Sequence, residues 1–289
     1  MTMWTDMAGV EFKQTFYNAK GIRTRVIEAG QGEPFIFLHG TGGHAETFMR
    51  NMGPHARHMR VISADMIGHG YTDAPDIPYT MDTLVEHLAN LVDAIGVRKV
   101  AVGGVSLGGM VAAWYAIRYP ERVSKLSLVT ALLMLRDDAG KRDLTDVLNR
   151  SKAATTELTR EAVRSRLAWL MHEPEKSVTE ELVDVRFNVY KQPGRAEIIG
   201  RISNIVLGGV IDDAWARQWS NPESMRAIQC PTLLTWSRYN PGLTAERAAE
   251  GMRCIPNARM EVLENSAHWP HWEEPEAFNR FHIDFLTRR

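Results

Sequence analysis

The chain has 289 residues, 44% of them hydrophobic, and its 34 basic and 35 acidic side chains leave a formal charge of −1. That supplies core enough for one large domain, or a domain with an insertion, and excludes a disordered or fibrous chain. Charges that nearly cancel provide no global field for nucleic acid or an anionic membrane surface, so the expected partner is a small molecule, with homo-oligomerisation left open.

Cys230 and Cys254 have no second Cys or His at metal-ligand spacing and are too few to staple a secreted fold. Residues 1–20 lack the apolar run of about 7 to 15 residues that a signal peptide needs, and no later run is long enough to span a bilayer. The expectation is a cytoplasmic protein.

In chain order, short apolar runs predict strands at residues 23–28, 34–38 and 61–64, then a helix over 81–95. A strand over 99–103 leads into a helix over 107–119, and strands at 126–129, 232–236 and 260–263 precede a last helix over 275–286. That helix is entered through Glu273, Glu274 and Pro275, as a first turn should be. The alternation predicts a mostly parallel α/β sheet flanked by helices. Residues 133–214 break the rhythm: they are rich in Arg, Glu, Ala and Leu at helical spacing, with no convincing buried strand. We read them as a helical lid over a core formed by residues 1–132 and 215–289, since a loop of that length needs structure of its own.

The strand over 99–103 is followed by Gly104-Val105-Ser106-Leu107-Gly108-Gly109 and then by a helix. This is G-x-S-x-G in the context it requires: a tight strand-to-helix turn lifts the serine off the sheet, and flanking glycines permit an approach that a Cβ would block. Ser106 is the candidate nucleophile. The N–H groups of Leu107, at the start of the helix, and of Thr41, in His39-Gly40-Thr41-Gly42-Gly43, are the candidate oxyanion donors. Asp65-Met66-Ile67-Gly68-His69-Gly70 has the pattern of a structural turn, which makes His69 a turn residue. Among ten histidines, His268 follows the last strand and precedes the C-terminal helix, where the order Ser, acid, His of the α/β-hydrolase fold places the base.

The acid departs from the pattern. Where this superfamily often reads W-G-R-x-D-P, the chain reads Trp236-Ser237-Arg238-Tyr239-Asn240-Pro241. An amide oxygen can orient a histidine but brings no charge to stabilise the imidazolium. Three readings stay open: Asn240 orients His268, a carboxylate comes from elsewhere, or the site is weakened. Asp137 and Asp138 are placed at the opening of the lid.

Residues 18–29, His39-Gly40 with Gly42-Gly43, Arg50-Asn51-Met52-Gly53-Pro54, Ser106-Leu107-Gly108-Gly109 and His268-Trp269 together resemble the meta-cleavage product hydrolases. The resemblance implies hydrolysis of a C–C bond beside a ketone in a carboxylated product of aromatic ring cleavage, with no metal or organic cofactor. It also implies substrate contacts from Gly42, from Trp269 and from a lid arginine, for which Arg186 in Asp184-Val185-Arg186-Phe187 is the best match. Val105 stands where that family has an Asn, and His44-Ala45-Glu46 where it has a P-G-A extension. A carboxylesterase or lactonase is the alternative, and a ligand-binding protein with weakened catalysis a third.

Overall fold

A computed structural model describes residues 2–288. Eight strands form one sheet in the order β1-β2-β4-β3-β5-β6-β7-β8: β1 (Phe12–Ala19), β2 (Ile22–Ala29), β3 (Pro34–Leu38), β4 (Arg60–Ala64), β5 (Val100–Val105), β6 (Val123–Val129), β7 (Thr232–Ser237) and β8 (Ala258–Leu263). β2 runs antiparallel to both β1 and β4, and every other pair is parallel. The sequence pattern follows from this placement. β3 is buried along its whole length, and central parallel strands covered on both faces read as unbroken apolar runs. β1 is the strand that the apolar runs do not disclose, because it lies at the sheet edge with an exposed, polar outer side, Lys13 and Gln14 included.

Helices Met81–Ile95, Leu107–Arg118 and Pro275–Thr287 cover the sheet where helical spacing predicts them. Between β6 and β7 the chain runs through six helices, Asp138–Thr156, Arg160–Ala168, Pro174–Ser177, Glu180–Tyr190, Arg195–Ile211 and Asp213–Trp219. The last of these crosses residue 214 because the Asp212 carboxylate accepts from the N–H groups of Ala214 and Trp215 and starts a new helix there. Asp137 caps the first, accepting from Gly140 N at 2.9 Å, and pairs with Arg247. Among the described residues no helix is long and apolar enough to cross a membrane.

The turn after β4 is held by buried polar contacts. Asp65 is fully buried; it accepts from Ala45 N at 2.6 Å and Tyr71 N at 2.7 Å and pairs with Arg25 at 3.1 Å. His69 is buried there with Nδ1 3.1 Å from Ile67 O, a turn residue as its position suggests. Gly70 has φ +53°, and a Cβ on it would stand 2.0 Å from the Asp65 carboxyl. Gly70→Ala should therefore lower the unfolding free energy by roughly 2 to 4 kcal/mol, from left-handed strain plus displacement of a buried carboxylate. Urea denaturation measures it, and a loss within about 0.5 kcal/mol would show that the turn tolerates a Cβ.

Candidate active site

β5 leads directly into Ser106, which has φ 55° and ψ −120° and is followed at once by the helix Leu107–Arg118. A non-glycine residue in this region costs about 1 to 3 kcal/mol and persists only where its surroundings over-determine it. Here Ser106 N donates to Val129 O and Ser106 O accepts from Met110 N, both at 3.1 Å, so the turn is tied to β6 and to its own helix. The turn sits so close to β3 that a Cβ on Gly108 would fall 2.1 Å from Leu38 O. Ser106 faces a cavity of about 60 Å³ whose wall includes Thr41, Leu107, Asn240 and His268. The Leu107 N–H opens its helix and has no intrahelical acceptor, while Thr41 lies in the turn closed by Gly43 N to Gly40 O at 2.9 Å. A shallower and larger depression near Phe12, Glu28 and Arg60 contains neither Ser106 nor His268.

His268 Nδ1 lies 2.7 Å from Asn240 Oδ1. The orientation of the amide is set independently of the histidine, because Asn240 Nδ2 donates to Pro241 O and Leu243 O, each at 3.0 Å. Oδ1 therefore faces the ring as an acceptor, the proton belongs on Nδ1, and the Nε2 lone pair is free to act as a base. The backbone of His268 is held from two sides: Thr130 Oγ1 donates to His268 O at 2.8 Å, and His268 N donates to Leu170 O at 2.9 Å. The imidazole pKa is pushed down to about 3, by burial first and then by the positive charges of Arg166 and Arg136. No carboxylate among the described residues lining the cavity opposes those charges.

The structure thus gathers Ser106, His268, Asn240, Thr41 and Leu107 on one cavity wall. Gly42, Arg186 and Trp269 form a separate buried group off that wall. The Tyr190 hydroxyl donates to Gly42 O at 3.1 Å, and the Arg186 guanidinium stands 5.4 Å from the Trp269 ring centroid. Arg186 is 1% exposed, with Nε and Nη2 unpartnered, and burial lowers its pKa.

A profile of the alpha/beta hydrolase fold matches residues 33–275. The chain belongs to that family. It is 29% identical over 284 residues to the 2-hydroxy-6-oxo-6-(2'-aminophenyl)hexa-2,4-dienoic acid hydrolase of Metapseudomonas resinovorans, covering 96% of this chain and 92% of the relative. It is also 29% identical to the 2-hydroxymuconate semialdehyde hydrolase of Pseudomonas putida, covering 93% and 92%. Among solved structures, the meta-cleavage product hydrolase from Pseudomonas fluorescens IP01 superposes with a TM-score of 0.79 at 26% identity, covering 96% of this chain and 98% of that one.

Four residues that the motifs do not single out complete the site in this α/β-hydrolase. Thr130, with φ 44° at the end of β6, fixes the His268 backbone, and Trp169 sets its ring edge-on to His268 at 6.0 Å. Arg136 and Arg166 enter the cavity wall. Nothing local marks Arg166 in Arg160-Glu161-Ala162-Val163-Arg164-Ser165-Arg166: Arg160 and Arg164 pair with Glu180 at the surface, whereas Arg166 lies about 200° around the helix from Arg164 and faces inward.

A carboxylate beside Nδ1–H favours the imidazolium, so Asn240→Asp raises the His268 pKa and moves the acid limb of the kcat/KM profile to higher pH. The parent should hold its activity down to about pH 5, since His268 is neutral to about 3. Asn240→Asp should raise kcat at least about tenfold near pH 8, and Asn240→Ala should lower it. Superimposable profiles for parent and Asn240→Asp would rule out this pairing as the control on the base.

Proposed function

We propose that the protein is a serine hydrolase that cleaves the C–C bond beside a ketone in a small carboxylated product of aromatic ring cleavage. The observation that carries the catalytic part is the 2.7 Å contact between His268 Nδ1 and Asn240 Oδ1, in a cavity shared with Ser106. Ser106 Oγ attacks the carbonyl carbon while His268 Nε2 takes its proton, and the carbonyl oxygen, now an oxyanion, is held by the N–H groups of Thr41 and Leu107. Ser106 and His268 already face one space, and catalytic hydrogen bonds commonly tighten only when substrate is bound. The imidazolium then protonates the departing carbon, and water attacks the acyl group on Ser106 with His268 again as base. Asn240 orients the ring throughout and offers no charge, which suits a reaction with modest demands on the base.

The substrate class rests on the named activities of the relatives, which extend over most of the chain, and on Arg186. Two of its nitrogens are sealed from solvent without partners, and a guanidinium in that state suits a carboxylate that it can grip with both forks. Small-molecule sites usually enclose roughly 300 to 1,000 Å³, far more than the cavity of about 60 Å³. Substrate entry therefore requires the inserted helices, which we take as the lid, to draw back and open the cavity towards Arg186 and Trp269. A carboxylesterase or lactonase is favoured instead by one observation: Arg186 stands off the cavity wall.

Ser106→Ala should abolish turnover of a ring-cleavage product with folding intact, because only a hydroxyl is removed. A phosphonate directed at serine should label the parent stoichiometrically; absence of labelling would leave a binding protein. Arg186→Gln should cut kcat/KM for the acid roughly ten- to a hundredfold, given about 1.5 to 3 kcal/mol for a charge-assisted hydrogen bond, and leave a neutral ester of similar shape unaffected. Equal losses on both substrates would assign Arg186 to support of the lid and put the esterase ahead.

A further inference from the structure

The catalytic cavity contains two cations that the proposed reaction does not use. Arg166 is 5% exposed; its Nε donates to Ser151 Oγ at 2.7 Å, which fixes the guanidinium, while Nη1 is sealed from solvent without a partner. Arg136, just beyond β6, has one nitrogen on Met134 O and a buried Nε without a partner. Both line the cavity with Ser106 and His268, and no Asp or Glu is among the described residues of its wall. The nearby charges compensate little. Asp137 acts on Arg136 but is itself engaged by Arg247 and by Gly140 N, and beside Tyr190 the groups acting on Arg166 are Arg186 and Arg150, also cations. Burial pushes both guanidinium pKa values down to about 10, which still leaves them charged at neutral pH. Two cations with no carboxylate beside them on the wall of a partly enclosed cavity favour entry of an anion.

We propose that Arg136 and Arg166 form an anion subsite within the catalytic cavity, so that the substrate is a dianion with a second carboxylate at the end away from the one assigned to Arg186. This deepens the function proposed above and rests on it for the first carboxylate. Arg166 supplies Nη1 from a guanidinium already fixed through Nε, and Arg136 supplies its buried, unpartnered Nε. An anion between them also relieves the base, because these two charges oppose the proton that His268 must accept.

Calorimetric titration of the intact protein with straight-chain dicarboxylates from succinate to pimelate, each against the monocarboxylate of equal length, tests this. At least one diacid should bind about tenfold or more tightly than its monoacid, and Arg166→Gln and Arg136→Gln should each reduce that preference to about threefold or less. Arg186→Gln should weaken the diacid and the monoacid alike. No diacid preference in the parent, or a preference that survives both substitutions, overturns the proposal. If Arg166→Gln fails to fold for want of the bond to Ser151, Arg136→Gln and Arg166→Lys decide: the first must lose the preference and the second, which keeps the charge, must retain part of it. Diacid preference without turnover of any ring-cleavage product would contradict the C–C hydrolase reading and keep this one; turnover without the preference would do the reverse.

Discussion

The site depends on one hydrogen bond, His268 Nδ1–H to Asn240 Oδ1. Histidine has two equivalent-looking nitrogens, and a base is useful only if the lone pair is on the one facing the nucleophile. Most sites of this kind fix the tautomer with a carboxylate, which also stabilises the cation formed during the reaction. Here the two roles are separated. In the proposed mechanism the amide, itself pinned by the Pro241 and Leu243 carbonyls, fixes the tautomer, and no carboxylate among the described residues of the cavity wall stabilises the charge. Burial and two arginines hold the imidazole neutral, so the lone pair is always available but weakly basic. Such a base suits the anionic substrate proposed above, whose charge arrives with binding and leaves with product.

The fold holds that bond from several directions. β5 and β6 set the height of Ser106, while β7 carries Asn240 and β8 delivers His268, so the sheet itself fixes the spacing of the reacting groups. The inserted helices take part as well, since His268 N donates to Leu170 O beyond the helix Arg160–Ala168. If those helices draw back to admit substrate, as proposed above, that movement acts on the segment bonded to His268 N.

Much of this was legible in the residues alone. The central strands were readable because they are buried on both faces and thus continuously apolar, and Ser106 because G-x-S-x-G falls between a strand and a helix. His268 was readable from its place after the last strand, and Asn240 because its neighbours Trp236, Arg238 and Pro241 keep a recognisable pattern around it. β1 was hidden by the mixed polarity of an edge strand. The helix Asp213–Trp219, which crosses residue 214, was hidden because Asp212 starts a helix that periodicity does not separate from the one before. Arg166 and Arg136 were hidden for a different reason. A buried, unpaired arginine has the same letter as an exposed, paired one, and which side of the helix meets the cavity is decided by packing between segments distant in sequence.

The central claim is that His268 is a neutral imidazole with its proton on Nδ1, held there by Asn240. Nitrogen-15 NMR of histidine-labelled protein, with His268 assigned by its loss in His268→Gln, reads both the tautomer and the charge directly. The account predicts an Nδ1–H tautomer that stays neutral between about pH 5 and 8, and a mixture of tautomers when Asn240 is replaced by Ala. A proton on Nε2, or a titration centred near the ordinary histidine value of about 6.5, would contradict it.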